Sequence, residues 1–241
     1  MKLIVSSNGI NPNCGINPNV IDKPYKWSVN SGTNVENQDV CQPPRIIALD
    51  PGVRTFMHGY TPTGKEVKIG DQDAQRLCKL SHCIDKLSQR ISTSKSRRKQ
   101  SLRRARLKVY AKIRNLVDEL PWQTANYLCK NFDVILLPSF NTSDMVRKYR
   151  GKRRRKISKD TCRKMLMFSH YRFKLRLLQK ATEHGKNVII VNEAYTSKTC
   201  GRCGSIHHKL GGKKVFKCPV CHFKTDRDLN GARNILLRNI I

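Results

Sequence analysis

Acidic residues are scarce in this chain. Its 241 residues include 17 Asp and Glu against 48 Lys and Arg, for a formal net charge of +31 and a pI near 10.2. A compact body so charged repels itself unless a polyanion neutralises it, which makes nucleic acid the first partner to consider. Long apolar runs are missing as well. None approaches the length of a membrane span, and the cationic stretches carry no Trp- or Phe-rich face, so neither a spanning nor a lipid-surface helix is expected. The opening "MKLIVSSNGINPN" offers only the short run "LIV" and no small-residue cleavage site. That is not a secretory signal, and the expectation is an intracellular protein, nuclear if the host is eukaryotic. No small-molecule substrate is expected.

What is present suffices for one ordinary domain with an appendage, since 38% of residues are hydrophobic. Residues 1–44 are rich in Asn, Pro, Ser and Gly and repeat "GINPN" at 9–13 and 15–19, a composition expected to form a disordered or low-complexity tail. Cys14 and Cys41 lie there and are read as thiols without a role. Order is expected from Arg45: "RIIAL" reads as a buried strand, and "TFMHGY" and "KEVKIG" as two more joined by the turn "TPTG". Leu77, Leu80, Ile84, Leu87 and Ile91 then recur at helical spacing. A second stripe, Leu102, Ala105, Val109, Ile113, Leu116 and Leu120, predicts a partner helix that Pro121 interrupts. Between Lys95 and Arg114 stand ten basic residues and no acidic one, a face suited to phosphate.

"FDVILL" returns to strand. Eight of the ten residues from Arg147 to Lys156 are basic, which fits a disordered arm, a nuclear-import signal or an ordered contact surface. Met165, Phe168, Tyr171, Leu175 and Leu178 mark another amphipathic helix ending near Gly185, with His184 read as a favourable helix-end charge. "NVIIV" is the last long strand, and "DRDLNGARNILLRNI" a closing helix. The order predicts an α/β fold: a mixed sheet with helices on its faces and a basic helical hairpin inserted at 74–130.

Cys200, Cys203, Cys218 and Cys221 form a C-x2-C-x14-C-x2-C array. Two such knuckles place four thiolates around one structural Zn2+, with no position open for catalysis. An iron–sulfur cluster or redox pair is the competing reading. Cys78, Cys83, Cys129 and Cys162 lack comparable spacing and are read as core or surface thiols.

Phosphodiester cleavage at neutral pH calls for several converging carboxylates holding two Mg2+. Asp50 ends a strand before Pro-Gly and by itself reads as a turn former, while Asp226 and Asp228 by themselves read equally well as helix caps. Taken together, "LDPGVRTF", "DRDLNGARNIL" and the cysteine array just before the latter resemble the RuvC-like nuclease of the TnpB/OrfB transposon family over residues 45–241. "LLPSFNTSDMV" and "NEAYTSKTCGRCG" look most like its Fanzor branch of eukaryotes and giant viruses.

The resemblance implies an RNase H-like fold and an RNA-guided, Mg2+-dependent DNA endonuclease, with DNA and a guide-type RNA as partners. It divides the chain into a nuclease core at 45–194 with a basic arm at 147–160, a zinc ribbon at 195–224, and the rest of the core at 225–241. By motif, Asp50 matches the first catalytic carboxylate and Asp228 the third. The second is normally a Glu ending the strand "VILLPSF", where Pro138 stands instead. Glu193, at the end of the neighbouring strand, is the expected replacement, a relocation that resembles the Fanzor-like branch. Asp226 is a further carboxylate, read as the cap. The 44 residues before the core are too few for the family's recognition region, so guided specificity is not expected of this polypeptide alone.

Arg97, Arg98, Lys99, Arg103, Arg104, Arg106, Lys152, Arg153, Arg154 and Arg155 are the candidate nucleic-acid contacts, with Arg227 and Arg233 weaker candidates near the scissile phosphate. Phe140 and Trp122 are read first as core residues and second as base-stacking ones. The rival reading is a non-catalytic nucleic-acid-binding zinc-ribbon protein.

Overall fold

The computed structural model describes residues 4–6, 43–150, 153–155, 157–211 and 213–240. Six strands form one sheet in the order β1-β4-β3-β2-β5-β8: β1 Ile4–Ser6, β2 Ile46–Pro51, β3 Met57–Tyr60, β4 Glu66–Ile69, β5 Val134–Pro138 and β8 Asn187–Val191. The β2-β3 and β3-β4 pairs are antiparallel, while β2-β5 and β5-β8 are parallel. Ile47, Ala48 and Leu49 of the central strand are all fully buried because both faces of the sheet are covered there.

One face packs Ile47, Leu49, Ile135 and Leu137 against three helices: α1 Asp71–Thr93, α2 Ser96–Asn131 and α5 His170–Glu183. The other packs Ala48, Leu136 and Val191 against Ala232, Ile235 and Leu236 of α6 Arg227–Ile240. The N-terminal ends of the three parallel strands are tied by one carboxylate. Asp133 accepts hydrogen bonds from Arg45 N (3.0 Å), Nε (3.1 Å) and Nη2 (3.2 Å), and from Lys186 Nζ (2.7 Å). These bonds hold the Asp133 carboxyl well below the usual carboxylate range.

The structure departs from expectation in three places. Ile4–Ser6 pairs with β4 and extends the sheet, although it lies in the expected tail; residues 7–42 are outside the described residues. Pro121 does not interrupt its helix, and α2 runs on for 36 residues. Burial of Leu120, Pro121, Ala125, Leu128 and Cys129 against the sheet offsets the ~3 kcal/mol a helical proline costs. Beside the proline, Arg176 Nη1 donates to the Asp118 carbonyl at 2.7 Å. The helix predicted around Phe168 is two: α4 Lys159–Phe168 and α5, broken where Ser169 adopts φ 49°. The basic stretch holds a small antiparallel hairpin, β6 Tyr149–Arg150 with β7 Arg153–Arg154, after a short helix α3 Thr142–Val146. Among the described residues no helix is long and apolar enough to cross a membrane.

Candidate active site and metal centre

The carboxylates gather at the opposite end of the sheet from the Asp133 tie. Asp50 lies near the C-terminal end of β2, on the face that α6 covers. It tolerates so close a helix because Gly231 has no side chain: a Cβ there would fall on Asp50 Oδ2. Asp228 lies in the first turn of α6, within electrostatic reach of Asp50. Asp226 accepts a hydrogen bond from Asp228 N at 2.9 Å, so it caps the helix in the way read from the sequence.

Glu193 arrives from β8. Pro138 is level with Val191 in the β5-β8 ladder, and Glu193 follows two residues beyond. The structure therefore brings Asp228 and Glu193 each within electrostatic reach of Asp50. Burial, then Asp228, then Glu193 push the Asp50 pKa well above the usual carboxylate range, while Arg227 pulls it back. Burial also raises Glu193. Such mutual repulsion is relieved by a proton or a cation, and an all-oxygen donor set suits Mg2+.

His58 was not anticipated. It is directly opposite Asp50 in the β2-β3 ladder and only 2% exposed. Its Nε2 is 3.9 Å from Asp228 Oδ2 and its Nδ1 3.8 Å from Glu66 Oε1. Burial lowers its pKa against the opposing pull of Asp228, Asp226 and Glu66. The sequence signal was available: in "TFMHGY" the histidine occupies a strand position pairing with an aspartate, yet a lone strand histidine is ordinarily a core residue.

The four cysteines form a second centre. Their sulfurs all lie within 4.8 Å of one another, with Cys200–Cys221 and Cys203–Cys218 each 3.6 Å apart. Sulfurs bonded tetrahedrally to zinc at about 2.3 Å stand roughly 3.8 Å apart, so the set fits one Zn2+. Burial opposes ionisation of Cys218, but hydrogen bonds from Ser205 Oγ and the N–H groups of Cys221 and Val220 outweigh it and bring its pKa to about 5. A thiol already inclined to lose its proton is a ready ligand. The hairpin β9 Val215–Lys217 with β10 Lys224–Asp226 leads from this centre into α6. Asn230 Oδ1 accepts from Gly201 N (3.0 Å), and Asn230 and Asn234 each donate to the Thr199 carbonyl (2.7 Å).

The candidate nucleic-acid contacts divide. Arg97, Arg98, Arg103 and Arg104 are exposed along α2, and Lys99 is half-buried. Arg106 turns inward and donates to Ser88 Oγ at 3.3 Å across the helical hairpin. Arg155 is engaged with the Val146 carbonyl at 2.6 Å. Lys152 lies outside the described residues, as do the side chains of Arg153 and Arg154. Arg227 Nη1 donates to the Gly211 carbonyl, and Arg233 is half-buried near Gly201. Trp122 is not core: it is 43% exposed, with the Arg176 guanidinium 5.3 Å from its ring centre. Phe140 is half-buried with one edge at the His170 ring.

Comparison with known proteins fits this layout. The Cas12f1-like TNB domain model matches residues 170–235. A putative transposase of Paramecium bursaria Chlorella virus 1 is 33% identical over 194 residues, covering 80% of this chain and 43% of that protein. A TnpB-like protein of Acanthamoeba polyphaga mimivirus is 29% identical over 201 residues, covering 78% of this chain and 36% of that protein. The chain is thus similar in sequence to a putative transposase and a TnpB-like protein of giant viruses. It spans less than half the length of these two viral relatives. Among solved structures, Cas12f1 in its complex with single-guide RNA and target DNA superposes with a TM-score of 0.53 at 20% identity, over 79% of this chain and 49% of that one. The chain thus shares the fold of the part of Cas12f1 on which it superposes.

Proposed function

We propose that the chain is the nuclease part of a TnpB-like, Fanzor-branch DNA endonuclease with an RNase H-like (RuvC-like) core, Asp50, Glu193 and Asp228 being its catalytic carboxylates. Residues 45–194 and 225–241 would form the core and 195–224 the zinc ribbon. The observation that carries the reading is the convergence of three acids from three elements at one end of the sheet, in a chain otherwise poor in acid. Two Mg2+ held there would neutralise the scissile phosphate and supply a nucleophilic water.

The protein's own share is positional. Asp50 is fixed by β2 and by the close approach of Gly231, Asp228 by the Asp226 cap and His58, and Glu193 by its own carbonyl, which accepts from Thr196 N and Oγ1 at 3.2 and 2.8 Å. The exposed arginines of α2 would hold the DNA backbone, and a guide-type RNA would direct the assembled protein. Zn2+ at Cys200, Cys203, Cys218 and Cys221 would hold the ribbon in place, linked by Asn230 and Asn234 to the helix that bears Asp228.

Plasmid nicking with Mg2+ and with EDTA tests the proposal. Glu193→Gln and Asp50→Ala should each lower the Mg2+-dependent rate at least about a hundredfold, the loss of a metal-borne stabilisation worth several kcal/mol. A wild-type rate from Asp50→Ala would sink it. The rival reading, a nucleic-acid binder without activity, predicts salt-sensitive binding with no nicking.

A further inference from the structure

One row of α6 grips the segment that runs from Glu193 to the first cysteines. Asn230, Asn234 and Arg238 recur every fourth residue and so stand in line along the helix that carries Asp228 in its first turn. Arg238 Nη1 donates to the Ala194 carbonyl at 2.6 Å. Asn234 Nδ2 donates to the carbonyls of Thr196 (2.8 Å) and Thr199 (2.7 Å). Asn230 Nδ2 donates to the Thr199 carbonyl (2.7 Å), and its Oδ1 accepts from Gly201 N (3.0 Å). Ala194 follows Glu193 in the chain, and Thr199 and Gly201 flank Cys200. One helix therefore holds the neighbour of a carboxylate and both neighbours of a zinc-ligating cysteine.

The grip is close and specific. Asn230 and Asn234 are 2% and 7% exposed, so removing their amides would leave buried backbone groups without partners. A Cβ at Gly201 would stand 3.1 and 3.2 Å from their Oδ1 atoms, tighter than ordinary contact, so the absence of a side chain lets the knuckle come this near. Between the two ends the turn is strained: Tyr195 has φ 66°, a left-handed conformation that surrounding bonds must maintain in a tyrosine. Its carbonyl accepts from Lys198 N, Thr199 N and Thr199 Oγ1 at 2.9, 3.0 and 2.9 Å. The turn also abuts the carboxylates, since the Cβ position at Gly231 that would fall on Asp50 Oδ2 is 3.8 Å from Ser197 Oγ. Order imposed at either end of this segment is shared with the other through contiguous hydrogen bonds.

We propose that Asn230, Asn234 and Arg238 are positioning residues that couple the four-cysteine zinc centre to the carboxylates, so that Zn2+ and Mg2+ each bind more tightly when the other is present. This rests on the reading of Asp50, Glu193 and Asp228 as Mg2+ ligands. Linkage makes the two effects equal: the factor that Mg2+ adds to zinc affinity is the factor that zinc adds to Mg2+ affinity.

Metal titrations of the full chain test this without recourse to nicking. Zinc affinity is read by competition with a colorimetric chelator, with and without saturating Mg2+ at constant ionic strength. Affinity at the carboxylates is read by electron paramagnetic resonance with Mn2+ as the probe, on zinc-loaded and zinc-stripped protein. Couplings between sites typically run from about fivefold to 150-fold, and about tenfold is expected here in both directions. Asn234→Ala should bring the coupling below about twofold while still binding one zinc. Lower stability alone would not do this, because the coupling is a ratio of two affinities of the same protein. Asn234→Ser, which keeps one donor, should retain an intermediate value; Arg238→Ala alters an exposed side chain, should also lower the coupling, and carries the test if the other variants do not fold. Equal zinc affinities with and without Mg2+ in the parent, or a coupling that survives Asn234→Ala undiminished, would overturn the proposal. Mn2+ bound as tightly by Asp50→Ala as by the parent would remove the carboxylate reading and the coupling with it. Mn2+ binding lost in Asp50→Ala, with no zinc linkage in the parent, would leave that reading standing and remove the coupling alone.

Discussion

Gly231→Ala separates the active-site geometry from fold stability. In a helix interior this substitution ordinarily stabilises by about 1 kcal/mol, because alanine loses less backbone freedom on folding. Here the new methyl would occupy the position of Asp50 Oδ2, and the backbone of α6 is pinned by Asn230 and Asn234 on one side and Ala232 and Ile235 on the other. The carboxylate must therefore yield. Overpacking of this kind costs roughly 1–3 kcal/mol, so the net loss of stability should be no more than about 2 kcal/mol. In a domain of this size that is a fall in Tm of about 4–8 °C. Moving a catalytic carboxylate by roughly 1 Å costs on the order of a hundredfold in rate. The measurement pairs a thermal melt with initial rates of Mg2+-dependent plasmid nicking at a temperature where both proteins are folded. It adds the rise in Tm on titrating Mg2+, which reports binding directly. The variant should melt as one cooperative unit, nick about a hundredfold more slowly and gain less from Mg2+. A variant that nicks within twofold of the parent would mean that Asp50 does not lie against α6 as described.

Three further outcomes follow from the same electrostatics. Asp50→Asn should raise Tm by roughly 2–8 °C in EDTA, the shift about 1–2 kcal/mol gives in a domain of this size. The sign follows from the raised carboxyl: the folded state holds the proton more tightly, so its stability is greatest below the unfolded pKa and falls as pH rises through the folded value. The variant's advantage should accordingly vanish in acid and shrink or reverse when Mg2+ is added, and an unchanged melt at neutral pH would contradict it. Asp133→Asn should destabilise by about 1–2 kcal/mol, discounted because the pair is partly exposed. Its depressed carboxyl contributes above the unfolded pKa and loses that contribution as pH falls through the folded one, so the two melts should converge in acid. Cys218→Ser, or a strong chelator, should release zinc measurable by a colorimetric indicator and lower Tm, and should also slow nicking because the ribbon is bonded to the helix bearing Asp228.

Strand-end acids and helical stripes were legible in the sequence because they depend on local pattern. The run "RIIALD" is apolar without alternation, as a strand covered on both faces must be, and it could only deliver its aspartate at an end. Pro121 was misread because propensity is local whereas the burial that overrides it comes from a sheet residues away in the chain. The split at Ser169 was hidden because Phe168, Tyr171, Leu175 and Leu178 continue a helical spacing across the break, whereas α5 in fact exposes Tyr171 and Leu175 and buries Phe173, Leu177 and Ala181. Asp133 and His58 escaped for a related reason. Each takes its meaning from partners far along the chain, Arg45 and Lys186 for one and Asp228 for the other, and no spacing rule connects them.

The missing acid of "VILLPSF" takes on meaning from the ladder that joins β5 to β8. Pro138 and Val191 are level, and the two strands are parallel, so their following residues leave the sheet side by side. Glu193, two residues beyond the edge strand β8, comes within electrostatic reach of Asp50. The end of β5 and the residues after it serve elsewhere: Pro138 and Phe140 line a cavity together with His170. Neighbouring strand ends thus divide two tasks, one supplying charge and the other an apolar wall. The Asp133 tie holds the opposite end of the same three strands in register. A sheet anchored there can hold three repelling carboxylates at its other end without their repulsion being relieved by the strands sliding apart.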